Sequence, residues 1–137
     1  MSGAFGAVDA SRAPDTPCPC GTGEPYAGCC RPLHAAERHA STAEELMRSR
    51  YTAFVVRDAD YLARTWHPRT RPDRIDLDAA EWRGLTIVRS VDGGPAEDQG
   101  TVEFVARCAL SGRRGEQHEV SRFTRRAGRW VYLDGDG

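Results

Sequence analysis

The sequence predicts an α+β protein in which a short zinc knuckle precedes helices and an antiparallel sheet. Four of the five cysteines are concentrated in residues 18–30, which is typical of a metal-binding segment. Apolar residues recur at helical spacing between residues 41 and 66, and strand-like patterns follow from Trp82 onward. Helices followed by consecutive antiparallel strands are the element order of an α+β domain.

Length and composition indicate one domain with a small appendage. The chain has 137 residues, of which 39% are hydrophobic, and this is enough for a proper core. Residues 1–16 are rich in small side chains and lack periodicity, so we expect them to be disordered. The zinc segment is expected over residues 17–34 and the α+β domain over residues 41–135.

Charge and hydropathy argue against two classes of partner. The net charge is -1, and the 19 basic residues, all arginines, are spread along the chain rather than clustered for nucleic acid. No apolar run approaches the ~18 residues of a membrane-spanning helix. The N-terminus lacks the basic start and apolar core of a signal peptide. We therefore expect a cytoplasmic protein, with neither nucleic acid nor membrane as its partner.

The cysteine pattern predicts one structural zinc site. A C-x-C pair, Cys18 and Cys20, is followed after eight residues by Cys29 and Cys30. The spacer contains three glycines and a proline, the residue types of a tight reversing loop. Thiolates suit zinc, and a site with four protein ligands has no open position for catalysis. We expect Tyr26, the only bulky residue of the spacer, to pack over the site.

Other uses of these cysteines stay open at the level of sequence. Disulfides would need an oxidising compartment, to which nothing in the sequence directs the chain. A redox role would need accessible thiolates of low pKa. His34 is a possible substitute ligand if Cys29 or Cys30 turns away from the metal.

The helices are predicted from their caps. Ser41 and Thr42 each have a glutamate three residues later, which is the spacing of a capping box. The helix that they begin should end at Arg57-Asp58, and Asp58 or Asp60 should cap a second, short helix. Pro68 limits that second helix, because the residue before a proline avoids the helical region.

Four strands come after the helices, over residues 82–91, 101–110, 116–126 and 129–134. Glycine-containing turns separate them. Pairing across the turn at Ala127-Gly128 should set Phe123 opposite Tyr132 and Arg125 opposite Trp130.

The cysteine segment resembles the SEC-C motif, the zinc-binding segment at the C-terminus of the SecA translocation motor. That motif usually ends in Cys-His, whereas this segment ends in Cys29-Cys30. With its Cys-Cys ending, the chain resembles more specifically the YchJ family of small bacterial proteins, from about Cys18 to Gly135. Beyond the knuckle, the resemblance lies in Pro32-Leu33-His34, Met47-Arg48-Ser49-Arg50-Tyr51-Thr52-Ala53, Thr65-Trp66-His67-Pro68, Trp82-Arg83-Gly84-Leu85, Gly100-Thr101-Val102-Glu103-Phe104, His118-Glu119, Ser121-Arg122-Phe123 and Trp130-Val131-Tyr132.

This resemblance implies a fold more than a function. It implies a SEC-C zinc segment over residues 17–34 and a nuclear-transport-factor-like domain over residues 41–135, in which helices fold over a curved antiparallel sheet to form a cone. Domains of this type serve enzymes, ligand binders and dimerisation modules alike. By analogy, an exposed sheet face could support a homodimer.

Two functional hypotheses arise from these observations. The first is a non-enzymatic, zinc-stapled module that binds a protein partner, as the SecA tail presents such a knuckle to the chaperone SecB and the ribosome. The alternative is a small enzyme or ligand-binding protein that uses an aromatic-lined pocket of the cone. The sequence has no nucleophile elbow, phosphate loop or Rossmann glycine pattern, so it defines no reaction and no catalytic residue. The candidate pocket residues are Tyr51, Trp66, His67, Trp82, Glu103, His118 and Trp130.

Overall fold

The computed structural model describes residues 16–77 and 80–136. The expectation for residues 1–16 therefore falls, apart from Thr16, outside the described residues. The cysteine segment contains a 3-10 turn at Tyr26–Gly28 and a short helix α1 at Arg31–His34. No helix in the described ranges is long and apolar enough to span a membrane.

Helix α2, Ala43–Val56, begins where its caps predict. Thr42 Oγ1 accepts a hydrogen bond of 3.0 Å from the Glu45 amide. The Glu45 carboxylate in turn accepts one of 2.8 Å from the Ser41 amide. The two bonds satisfy backbone donors that the first turn leaves free, in the manner of a capping box. The helix ends because Arg57 adopts a left-handed conformation with φ 63°.

Helix α3, Ala59–Arg64, is capped by Asp58, whose carboxylate accepts a 3.0 Å hydrogen bond from the Tyr61 amide. The chain then meets the last strand of the sheet. The Tyr132 amide donates to the Thr65 carbonyl, and the His67 amide donates to the Tyr132 carbonyl, both at 2.8 Å. These bonds fix the end of α3 against the sheet and hold Trp66 between them.

The sheet has four antiparallel strands in the order β1-β2-β3-β4, as the sequence predicts. Their bounds are Glu81–Asp92, Gln99–Leu110, Arg113–Arg126 and Arg129–Asp136. The turn between β2 and β3 is tighter than expected, because Ser111 and Gly112 alone connect them, both with positive φ. The predicted pairing of Phe123 with Tyr132 and of Arg125 with Trp130 is confirmed.

One face of the sheet is covered by the helices and holds the core. Val102, Phe104 and Ala106 alternate along β2 toward this face, and Phe123 on β3 lies beside them. Irregularities in register on β1 and β4 accompany the curvature of the sheet. The result is the curved α+β cone that the resemblance implied. The residues between those core positions on β2, among them Glu103, belong to the opposite face.

Candidate metal centre and adjoining cleft

Four thiols converge at the cysteine segment. The Sγ atoms of Cys18, Cys20, Cys29 and Cys30 all lie within 4.8 Å of one another. Cys20 Sγ and Cys29 Sγ are 3.6 Å apart. A tetrahedral zinc site with Zn–S bonds of about 2.3 Å places its sulfurs about 3.8 Å apart. The four cysteines could therefore hold one metal ion with little movement.

The backbone explains this convergence. The Cys18 amide donates a 2.8 Å hydrogen bond to the Glu24 carbonyl, and Pro17 and Pro25 form an isolated bridge beside it. Between them the chain reverses through Gly21 and Gly23, whose φ values of 86° and 89° suit glycine. The 3-10 turn then delivers Cys29 and Cys30 to the first pair. This is the reversing loop that the spacer composition predicts.

The four thiols influence one another's protonation. A hydrogen bond from Cys18 stabilises the Cys20 thiolate and lowers the pKa of Cys20. Burial raises the pKa of Cys29 to about 11, and a hydrogen bond with Cys18 raises the pKa of Cys30. Without a metal, deprotonation of Cys20 therefore disfavours deprotonation of Cys29 and Cys30, because the negative charges repel each other. A bound divalent ion would remove this penalty by neutralising the thiolates.

Helix α2 supports the thiol cluster from one side. Arg48 Nη1 donates a 2.6 Å hydrogen bond to the Cys20 carbonyl, while Arg48 Nε pairs with Glu44 at 3.1 Å. Thr52 Oγ1 lies 3.7 Å from Cys18 Sγ and is buried. The metal-binding loop is therefore anchored to the domain through one turn of this helix.

His34, the possible substitute ligand, lies outside the cluster of ligand atoms. Its Nδ1 is 3.0 Å from the Tyr26 hydroxyl, and its Nε2 is 2.9 Å from the Ser49 carbonyl. Burial lowers the pKa of His34, so its neutral form is favoured. The hydrogen-bond network then assigns the proton to Nε2, which donates to Ser49, and the Tyr26 hydroxyl donates to Nδ1. His34 thereby braces Tyr26, which is buried against the cysteines.

A cleft of about 290 Å³ lies between α2 and the covered face of the sheet. Three of the seven candidate pocket residues border it: Tyr51, Trp66 and Trp82. Tyr51 and Phe54 both contact Trp82, with ring centroids 6.3 Å apart in each pair. The remaining lining residues are Met47, Arg50, Phe54, Asp76, Phe104, Ala106, Gln117, Glu119, Ser121 and Tyr132.

The other four candidates lie elsewhere. Trp130 is buried, and its indole N–H donates to the Ser41 carbonyl at 3.2 Å. His67 turns toward its own loop, where its Nδ1 accepts a 3.0 Å bond from the Arg69 amide. Glu103 and His118 pair with each other at 2.6 Å on the opposite face of the sheet. Strand alternation is the reason, because their neighbours Phe104 and Glu119 face the cleft.

Arg50 is a charged cleft residue that is not among the candidates from the sequence. Its side chain is buried, and its guanidinium stacks on two rings, with Cζ 4.9 Å from the Trp66 centroid and 4.7 Å from that of Tyr132. Nη1 donates to the Leu62 carbonyl at 2.9 Å and to Thr65 Oγ1 at 2.7 Å. Burial lowers the pKa of Arg50 to about 10, so it stays charged at neutral pH. The available signal was an arginine in the apolar stripe of α2.

Glu119 supplies the opposite charge in the cleft. Its Oε2 accepts hydrogen bonds from Ser121 Oγ at 2.7 Å and from the Tyr132 hydroxyl at 3.2 Å. Its Oε1 accepts one of 3.1 Å from Gln117 Nε2. Because Tyr132 contacts both Glu119 and Arg50, the two charged groups lie near each other in one aromatic setting.

The comparisons with known proteins agree with this fold. Residues 42–135 match the family described as "YchJ, middle NTF2-like domain". A UPF0225 protein of Streptomyces coelicolor is 54% identical over 124 residues, covering 90% of this chain and 97% of its own length. A UPF0225 protein of Deinococcus radiodurans is 49% identical over 125 residues, covering 88% and 89%.

Two solved structures are similar as well. The solution structure of a SEC-C motif containing protein from Rhodopseudomonas palustris has a TM-score of 0.77 and 38% identity, and the match covers 88% of this chain and 97% of that one. The crystal structure of a SEC-C motif containing protein from Psychrobacter arcticus has a TM-score of 0.74 and 28% identity, with 88% and 82% covered.

Proposed function

This chain belongs to the YchJ family, and we propose that it is a zinc-binding protein whose knuckle forms part of a surface for a protein partner. The observation that carries the zinc assignment is the convergence of four thiols within 4.8 Å. Four sulfur ligands in this arrangement favour a tetrahedral thiophilic ion, and zinc is the common occupant of closed sites made of four cysteines.

The proposed role of the zinc is structural. Cys18, Cys20 and Cys30 are buried, and all four coordination positions would be filled by protein. Such a site has no position for a substrate or a water. Its binding energy would instead hold residues 17–30 in one conformation and fasten them to α2 through Arg48.

The surface around the knuckle supports a protein partner. The reversing loop, residues 21–25, is exposed along its whole length, while its backbone is fixed by the bridge at Pro17 and Pro25. A rigid, exposed loop binds a partner with little loss of conformational entropy. The resemblance to the SecA tail, which uses its knuckle in this way, points in the same direction.

Metal analysis tests the first part of the proposal. Protein purified without added zinc should contain about one zinc per chain, as expected for a closed site with four thiolate ligands. The Cys20→Ser variant should lose the metal. The matched Cys108→Ser variant should keep it, because Cys108 lies on β2 outside the cluster. Zinc-free protein with several fast-reacting thiols would contradict the assignment and favour a redox role.

Affinity capture followed by binding of the purified candidate tests the second part. Glu24→Arg reverses one exposed charge on the loop and leaves the cysteines untouched. This variant should retain zinc and lose the partner. Glu116→Arg makes the same change at an exposed position of β3 and should retain both. If the partner binds both variants equally, the reversing loop is not the binding surface.

A further inference from the structure

Arg50 is a buried cation with unused hydrogen-bonding capacity. Only 5% of the residue is exposed, and its two hydrogen bonds both use Nη1. A guanidinium carries five N–H donors. Within residues 16–77 and 80–136, Nε and Nη2 have no acceptor, and no carboxylate lies within ion-pair distance. Burying a charge without a partner is costly, so a group held this way is a candidate for ligand recognition.

Trp66, which borders the same cleft, also has a donor without a partner among the described residues. This donor is its buried indole Nε1. Unpaired buried N–H groups are rare in folded proteins. The ring of Trp66 stacks against the Arg50 guanidinium and borders the cleft. The free Nε and Nη2 donors of the Arg50 guanidinium suit a planar acceptor with two oxygens, and a carboxylate has that geometry.

Glu119 gives the cleft a negative charge, which favours a positive group close to that carboxylate. The Tyr132 ring stacks on Arg50, and its hydroxyl lies 3.2 Å from Glu119, so the two charges are separated by about one side chain. A plain anion would be repelled by Glu119, and a plain cation by Arg50. Asp76, at the rim, is exposed, and water screens its charge. A molecule with adjacent opposite charges satisfies both poles.

The walls define the rest of the ligand. Tyr51, Phe54 and Trp82 form an aromatic side of the cleft, and Met47 and Phe104 add apolar surface. A volume of about 290 Å³ is at the small end of ligand pockets and admits a molecule of about a dozen heavy atoms. We propose that this cleft binds a small zwitterion of the aromatic α-amino-acid type, with its carboxylate at Arg50 and its ammonium group at Glu119.

Three nearly isosteric probes test this site on the wild-type protein. L-phenylalanine carries both charges, 3-phenylpropionate lacks the ammonium group, and L-phenylalaninamide lacks the carboxylate. Two-dimensional NMR of the indole N–H groups reports on the cleft, since the chain has three tryptophans. Trp130, whose indole N–H is bonded to Ser41, serves as the internal reference.

L-phenylalanine should shift the Trp66 resonance in a saturable way and leave that of Trp130 in place. Each of the other probes should bind at least about tenfold more weakly, the usual effect of losing a charge-assisted hydrogen bond. Equal binding of 3-phenylpropionate or of the amide would overturn the assignment of a zwitterion. So would the absence of any shift at Trp66 with all three probes.

Variants then test whether Arg50 binds the carboxylate and Glu119 the ammonium group. Arg50→Met should weaken L-phenylalanine at least about tenfold. Arg125→Met is its matched control, because Arg125 also stacks on a tryptophan, Trp130, at 4.5 Å but lies outside the cleft. The control should leave the affinity unchanged. Equal affinity in wild type and Arg50→Met would refute the role of Arg50.

Glu119→Gln provides a second variant that does not depend on the folding of Arg50→Met. It preserves the shape of the side chain and removes its charge. The preference for L-phenylalanine over 3-phenylpropionate should fall about tenfold, because only L-phenylalanine carries the ammonium group that loses its partner. An unchanged preference would show that Glu119 does not contact the ligand. All of these measurements are independent of the proposed metal and partner.

Discussion

The thiol cluster and the Arg50 cleft are built on different faces of helix α2. They differ in whether their polar groups have partners within the protein. Arg48 and Thr52 of this helix reach the cluster, whereas Arg50 and Tyr51 reach the cleft. In the cluster, the four cysteine sulfurs lie within 4.8 Å of one another and could together fill a tetrahedral coordination shell. In the cleft, Arg50 and Trp66 keep donors that no described residue accepts. The first arrangement suits a structural ion and the second an exchangeable ligand.

The largest effect should come from removing the metal. Cys20→Ser, or a strong chelator acting on the wild type, should lower the free energy of unfolding by more than about 3 kcal/mol, because binding energy at a structural site is folding energy. In a chain of this size the melting temperature should fall by about 10 °C or more. Thermal unfolding followed by circular dichroism measures this.

The Cys108→Ser variant controls for the loss of a thiol as such. Its melting temperature should stay within a few degrees of the wild-type value, since Cys108 is only partly buried and is not a member of the cluster. A chelator that strips zinc without lowering the melting temperature would show that the metal is not structural. The cluster could then no longer be distinguished from the cleft as the site of a structural ion.

This contrast also explains what the sequence could predict. The four cysteines lie within thirteen residues, and the glycines that reverse the chain lie between them, so the cluster is encoded locally. The same is true of the Thr42 and Asp58 caps and of the hairpin at Ala127-Gly128. Each depends on neighbours in sequence, whose spacing is fixed by the geometry of a single element.

The cleft draws on residues from Met47 to Tyr132, and their meeting depends on how α2 and α3 cross the sheet. Aromatic character alone identifies Tyr51, Trp66 and Trp82 as pocket candidates, but it also selects Trp130, which packs beside Ser41. Glu103 and His118 are candidates because their side chains are ionisable. The sequence does not show which face of the sheet they occupy, and the structure places them on the face away from the cleft. Arg50 lies in the apolar stripe of α2, and no pattern in the neighbouring sequence shows that its guanidinium group is buried.

Arg50→Met should have a smaller effect on stability than loss of the metal. The substitution removes the cost of a buried charge, but it also removes two hydrogen bonds and stacking on two rings, worth about 0.5–2 kcal/mol each. Thr65 remains bonded to the Tyr61 carbonyl. We expect the free energy of unfolding to change by less than about 1 kcal/mol, since these terms oppose each other.

Chemical denaturation in urea measures this change, with Arg125→Met as the reference. Arg125 stacks on Trp130 and donates hydrogen bonds to the carbonyls of Glu97 and Pro95. These bonds hold the loop between β1 and β2 in place. The loss of Arg125 should cost more than the loss of Arg50. If Arg50→Met proves the more destabilising of the two, the guanidinium is primarily a structural group, and the ligand site loses its main support.

The smallest effect should come from His118→Ala. The side chain of His118 is 59% exposed, and its partner Glu103 is also near Arg89, at 3.6 Å. Exposed ion pairs are worth about 0–1 kcal/mol, so the melting temperature should change by no more than a few degrees. Because the pair lies on the face of the sheet away from the cleft, the variant should also bind L-phenylalanine as the wild type does. A loss of binding would mean that the two faces communicate through β3, and that residues outside the cleft contribute to the site.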